Sequence, residues 1–541
     1  MKNQIKNFFK YKPESIDRFI LHENKHEKEI AEGKIEAEDN AADSFYLSVR
    51  LKDNLEAIKY VYSYPQNSDI VIKEFKVGQD KKKDAFIVYI DGMCNVSTLN
   101  EHIIKPIFAI ESSERDLSVK NISEKYLVQA QANIAETLSE VVEIVNFGGV
   151  AFFIEGDKKV LCADIRMYGH RGIEKPTAEP SVMGPQESFN ELLRNNTALI
   201  RQRIRDDDLV IEGFTVGRRS NTSCSFLYIK NIANKELVKE VRRRVKNIDT
   251  DMLNDAGELE QFIEDSTFNP FPQVMKTERP DIAAAKLVEG RVVILVNGTP
   301  NAIIVPVEAS EFLETSEDQY LRFPYVELMK VLRLICVFLA LTLPGIYIAI
   351  LNFHQEMIPT TLLYAIEASR EQVPFSTLVE LMMMELVFDI LSEASIRTPK
   401  PIGATFGIVG ALALGQAAVV AKIVSPIMII IIAICGLGTF VIPNYAFSFS
   451  MRVMKYVFIF AAAMAGMLGI TTMLFVVITL MISTKSFGIP LLTSSSASKN
   501  TGIFYRLPIW QQEHRHDYLN SQDMIRQPKY SRLWRKSNNG K

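Results

Sequence analysis

Apolar and polar positions follow two different patterns along this chain. Up to about residue 323 charged residues recur every few positions, and the apolar ones fall in short β-branched runs or at helical spacing. From residue 331 to residue 482 long stretches hold no charge at all. The first pattern predicts half-buried strands with amphipathic helices, and the second predicts helices of membrane length.

Within the first part the pattern repeats. Leu51, Asn54 and Ala57 open a helical stretch that is matched by Leu192, Asn195 and Ala198. VIKEFKVG over 71–78 is matched by VIEGFTVG over 210–217, Tyr89-Ile90 by Tyr228-Ile229, and GGVAFFIEG over 148–156 by GRVVILVNG over 290–298. Matches in one order at nearly one offset predict two copies of an α/β unit. Each copy reads as helix, strand, turn, strand, helix, a variable stretch and a closing strand pair, with Asn297-Gly298 as a turn dipeptide. The fold class expected is therefore a soluble region of two tandem similar α/β domains, at 44–175 and 180–312, followed by an all-α polytopic membrane domain at 325–490. A charged leader, 1–43, and a basic tail, 491–541, flank them.

Four runs are apolar enough to be firm spans: 331–351, 402–421, 426–449 and 453–482. Pro344-Gly345 predicts a kink in the first, Lys330 and Arg333 mark its inner end, and Pro443-Asn444 interrupts the third. Gly403, Gly407, Ala411 and Gly415 repeat every four residues, a smooth stripe for helix packing within one subunit or between copies.

The segment 374–396 is apolar apart from Glu380, Glu385, Asp389, Glu393 and a few hydroxyls. The last three acids stand at i, i+4 and i+8, so a helix carries them as one stripe. Carboxylates at membrane depth face a bundle interior or a water-filled path, which makes them candidates for a cation route. A helix lying among lipid headgroups would expose the same acids to water, and polar contact with a neighbouring subunit is a third reading. The basic residues after Lys485 favour a tail on the inner side and an even number of crossings; the acidic helix as a fifth span would place the tail outside.

Net charge is −3, and the first residues, MKNQIKNFFKYKP, build no apolar run of the signal-peptide kind. The soluble region is thus expected on the cytosolic side. Cys94, Cys162, Cys224, Cys336 and Cys435 are scattered singly, as expected of inert thiols in a reducing compartment. His22 to His26 spells HExxH, but in a charged leader with no apolar face for a dry zinc pocket. His514 and His516 read as solvated, and the tail with Trp510 and Trp534 suits anionic lipid better than nucleic acid. No phosphate loop or nucleophile elbow is present, so neither an enzyme nor a cofactor or metal site is expected.

The string GPQESFNELLRNNTALIRQRI over 184–204 resembles the signature of the A subunit of GerA-type spore germinant receptors, through Pro185, Glu187, Phe189, Arg194, Asn195, Arg201 and Arg203. GRVVILVNGTPNAIIVP, YLRFPYVELMKVLRL and PTTLLYAIEASREQVPF follow in that family's order, and the resemblance runs from about residue 44 to 490. It implies a multi-pass subunit of the spore inner membrane that works with a nutrient-binding, permease-like B subunit and a lipoprotein C subunit. It also implies oligomerisation into a channel for monovalent cations; a non-conducting scaffold that docks the other subunits is the alternative.

Overall fold

The computed structural model describes residues 47–77, 83–110, 118–126, 132–166, 175–176, 179–397, 414–492, 501–502 and 505–528. The HExxH string, Gly403, Gly407, Ala411 and most of the run 402–421 lie outside them.

The first half of the chain builds two sheets of the same design. Strands β1 (Ile70–Val77), β2 (Lys83–Ile90), β3 (Ala132–Ala135), β4 (Val150–Ile154) and β5 (Val160–Ala163) form one antiparallel sheet in the order β1-β2-β4-β5-β3. Strands β6 (Leu209–Val216), β7 (Thr222–Ile229), β8 (Met275–Thr277), β9 (Val292–Val296) and β10 (Ala302–Val305) form the other, β6-β7-β9-β10-β8. The repeated residues occupy equivalent registers: Val71 pairs with Tyr89, and Val210 with Tyr228. Every residue of β4 and β9 is buried, because helices cover both faces; each Val, Ile or Phe so placed contributes about 1.5–3 kcal/mol. Gly148 and Gly156 flank β4 as Gly290 and Gly298 flank β9, all four at positive φ.

The α-helices of eight or more residues are α1 (Leu51–Val61), α2 (Val119–Tyr126) and α3 (Leu138–Asn146) in the first unit. The second holds α4 (Leu193–Arg203), α5 (Lys235–Lys246), α6 (Ala256–Ile263) and α7 (Pro280–Val288). Here the structure shifts one sequence match. Asn54 accepts from Ser48 N and donates to Ser48 O, both at 2.8 Å, tying the chain that enters α1. In α4 that clamp is made by Asn196 on Asn190, at 2.8 and 2.6 Å, not by Asn195, which is exposed. Leu193 is therefore the counterpart of Leu51, one residue beyond the Leu192 of the sequence match.

The two units are joined at the edge strand β6. Ser68 N donates to Ile211 O (2.8 Å), and Ile211 N donates to Asn67 Oδ1 (2.9 Å). Behind this seam Arg201 reaches Asp69 through Nε at 2.9 Å and Nη2 at 3.0 Å, and the pair is almost wholly buried.

Beyond residue 322 the chain is helical: α8 (Phe323–Phe353), α9 (Thr360–Arg370), α10 (Thr377–Arg397), α11 (Pro426–Phe440) and α12 (Tyr445–Ser483). Among the described residues two of these, α8 and α12, are long and apolar enough to cross a membrane. The run 426–449 does not persist as one helix. It stops at Phe440, and Asn444 caps α12 by accepting from Phe447 N at 3.0 Å, as the Pro443-Asn444 interruption implies.

The run 453–482 also differs from a single span, since α12 turns at Gly466 (φ 57°, ψ −137°). Ser450, near its start, donates to Pro270 O, and Asn269 donates to Thr484 Oγ1 at its end. On an uninterrupted helix those two residues would stand about 50 Å apart, yet adjacent residues of the second unit hold them. Helix α12 is thus a hairpin of two antiparallel arms, with Phe353, at the end of α8, against the turn: a Cβ on Gly466 would lie 3.0 Å from Phe353. Only glycine fits that conformation and that space.

Candidate functional site

The acids of α10 are placed by the helices around them. Glu385 is buried and receives the ammonium of Lys455, on the first arm of α12. Asp389, one turn along, accepts from the Tyr456 hydroxyl through Oδ2. Glu393 is exposed, so the three-acid stripe does not lie wholly against one neighbour. Glu380 is fully buried at the other end; its Oε1 accepts from Ser425 N at 2.6 Å, and Arg370 of α9 stands 3.8 Å from Oε2.

This polar row is not fully satisfied. Among the described residues, Glu380 Oε2, Glu385 Oε1, Asp389 Oδ1 and Ser392 Oγ are buried with no hydrogen-bond partner. A buried acceptor left without a donor costs about 1–3 kcal/mol, more when charged. The opposite side of α10 presents Val379, Leu386 and Ile390, all exposed.

Small residues let the surrounding helices close in. A Cβ on Gly436 would enter the Phe388 ring, and one on Gly438 would sit 3.0 Å from Cys336 O of α8. Gly415 is buried against Ile429. Gly436, Gly438 and Gly466 escaped the sequence reading, which looked for a four-residue repeat, whereas these contacts fall singly at helix crossings.

A second charged cluster joins the soluble half to α8. Lys330 donates to Glu314 (2.7 Å) and Arg333 to Asp318 (2.5 Å), so the two basic residues that begin the apolar helix are pinned to the turns after β10. Beneath them Lys286 bridges Glu289 (3.1 Å) and Glu311 (2.6 Å), and Arg291 also binds Glu311. Burial alone would raise the Glu289 carboxyl, but the Lys286 ammonium, with further cations around it, outweighs burial and holds it at about 2. A polar cavity of about 270 Å³ opens here, lined among others by Glu314, Lys330, His516 and Arg526.

The tail forms the other wall, and of its two histidines read as solvated His514 is exposed but His516 is not. Arg515 Nε donates to Val288 O (2.8 Å), Gln522 N to Ile232 O (2.9 Å), and Arg291 Nη2 to the Tyr518 hydroxyl (2.8 Å). Leu519 is fully buried in the core of the second unit, and His516 is packed beside the cluster; burial lowers its pKa against the pull of Glu289. Nothing in a polar, basic stretch announces such docking; Leu519 between polar residues was the available signal.

The family-like string turns out to be stitching. Glu187 receives Arg203 (2.6 Å), Phe189 is buried with its N–H on Glu278 O (2.8 Å), Pro185 O accepts from Arg279 (2.8 Å), Arg194 lies 3.3 Å from Asp91 of the first unit, and Arg201 holds Asp69. Among the described residues all five cysteines are free thiols; burial pushes Cys94, Cys162 and Cys224 up to about 12. No group of three His, Cys, Asp or Glu among those residues is placed to hold a metal.

Comparison with known proteins agrees with the resemblance. The family described as Bacillus/Clostridium GerA spore germination protein matches residues 57–518. Spore germination protein KA of Bacillus subtilis (strain 168) is 35% identical over 469 residues, 86% of each chain. The uncharacterized membrane protein YfkQ of the same organism is 34% identical over 470 residues, 86% of this chain and 90% of its own. The crystal structure of the N-terminal domain of the A subunit of the Bacillus megaterium spore germinant receptor GerK3 aligns with 48% of this chain and 96% of its own, with a TM-score of 0.39 and 32% identity. With a family match over most of its length and relatives of this identity and coverage, the chain belongs to the GerA family of spore germination proteins.

Proposed function

We propose that this chain is the membrane subunit of a spore nutrient-germinant receptor, and that copies of it assemble into a ligand-gated path for monovalent cations, lined by the acid face of α10. The observation that carries the reading is the buried row of Glu385, Asp389 and Ser392 oxygens without donors, in a region of apolar helices. Carboxylates are retained at such depth where they meet water or ions. Glu380, about 140° round the helix from Glu385 and held by Ser425 N, stands off this face, and Glu393, one turn beyond Asp389, is exposed.

The reading includes a multi-pass arrangement. Both feet of the α12 hairpin and the docked tail sit on the second α/β unit, which favours an even number of crossings with both termini on the cytosolic side, in the spore inner membrane. A permease-like B subunit would bind the nutrient and a lipoprotein C subunit would complete the receptor. The test replaces Glu385 by Gln and Asp389 by Asn and follows potassium release from spores after nutrient addition. A release slowed tenfold or more is expected; unchanged kinetics remove the acids from the path.

A second reading, a non-conducting scaffold, draws on a specific observation too: in this conformation Lys455 and Tyr456 already occupy one oxygen of each acid. A bilayer that stays silent when demonstrably oligomeric protein is reconstituted would favour it.

A further inference from the structure

Lys455 is the unexpected member of the acid row. It reaches Glu385 across 70 positions of sequence, and the pair is buried to 3% and 1% exposure. Glu385 Oε1, Asp389 Oδ1 and Ser392 Oγ stand at i, i+4 and i+7 of α10, so they share one face over about 10 Å. Among the described residues the Tyr456 hydroxyl is already given to Asp389 Oδ2, and the Arg452 guanidinium lies over the Phe440 ring at 5.8 Å. The Lys455 ammonium bonds Glu385 Oε2 and leaves the other oxygens of this face without a donor.

Two carboxylates and a hydroxyl present only oxygens. That donor set suits a hard monovalent cation, and an ammonium head carries the same charge at a comparable size. We propose that the Lys455 ammonium is a tethered cation that fills a monovalent-cation site on the inner face of α10, and that withdrawing it is the opening step. This rests on the reading of α10 as the conduction path and names how that path is held shut.

The lever for withdrawal is visible. Lys455 follows Ser450, whose hydroxyl is held by Pro270 O, and Phe447, whose ring stacks on Phe312 at 5.4 Å. The arm that carries the ammonium is thus footed on the second α/β unit. A shift of that unit against α10 moves Lys455 along or away from the acid face, and the free cation takes its place.

The full chain is reconstituted in vesicles of phosphatidylethanolamine and phosphatidylglycerol loaded with potassium, and efflux is followed with an electrode. The wild type stays tight and Lys455→Gln leaks at least tenfold faster, while adding E385Q and D389N to it stops the leak. Exchange of the partners, E385K with K455E, restores tightness. If K455Q does not reach the membrane, K455Q with E385Q is read instead, since it removes the unpaired buried charge and leaves Asp389 unguarded. A tight variant in either case overturns the lock. If spores still need Glu385 and Asp389 for potassium release, only the lock has failed; if the acids are dispensable there, the path reading fails with it.

Discussion

Arg201→Met tests whether the two α/β units form one rigid body. The guanidinium is 1% exposed and gives three hydrogen bonds to the first unit, two to Asp69 and one to Asn67 at 3.2 Å. Methionine fills most of the volume but leaves the Asp69 carboxylate buried without its cation, a change that costs about 3–5 kcal/mol when one partner of a buried pair is removed. The cost falls on the seam, where Ser68 N and Ile211 N donate across to the other unit. At about 1.4 kcal/mol per factor of ten, amide exchange at Ser68 and Ile211 should accelerate between about 100-fold and about 4,000-fold in the full chain in detergent. Amides at the centre of β9 should be far less affected. Adding D69N removes the stranded charge, so the double variant should recover part of the loss. Acceleration below about tenfold for R201M would refute the reasoning, because it would mean that water reaches Asp69 readily and the seam is no rigid joint.

Two more outcomes follow from local chemistry. Burial pushes the Glu179 carboxyl up to about 7, against the hydrogen bond from Thr277 at 2.7 Å. The folded chain then holds a proton over a range in which the unfolded chain, near 4.5, has lost it. Stability gained from that proton is full below about pH 4.5 and is lost as pH rises through about 7, up to about 3 kcal/mol in all. Denaturant unfolding at pH 5 and pH 8 should show it, and Glu179→Gln should flatten the difference. Gly466→Val forces a side chain into a glycine-only conformation and against Phe353, straining the turn by about 1–3 kcal/mol. Disulfide trapping between cysteines placed at 462 and 470 should fall with it; undiminished trapping would show that the turn is held elsewhere.

Sequence pattern reached the soluble half well, because strands buried on both faces must be short apolar runs and their turns carry glycine. Val71 opposite Tyr89 and Val210 opposite Tyr228 are visible as repeated strings for that reason. The Asn54 clamp was harder: two adjacent asparagines, Asn195 and Asn196, offer two alignments, and only the hydrogen bonds to Asn190 choose between them. In the apolar half the pattern loses its information, since residues facing lipid and residues facing a neighbouring helix are equally apolar. A reversal at Gly466 within a run of Met, Ala, Leu and Ile leaves no periodic trace. The acids of α10 could be found, as charge is rare there, but not the partners of Glu385 and Asp389, which come from the distant α12.

The docking of the tail has a bearing on how the molecule is made. Phe487, Ile489 and Leu519 belong to the same core as Val210, Phe226 and Val292, although they are synthesised after every apolar helix. A ribosome that has finished the second α/β unit has thus made a module with an open apolar seam, closed only when residues 487–519 have been made and have folded back onto it. Chains cut short before residue 519 therefore leave part of that seam uncovered.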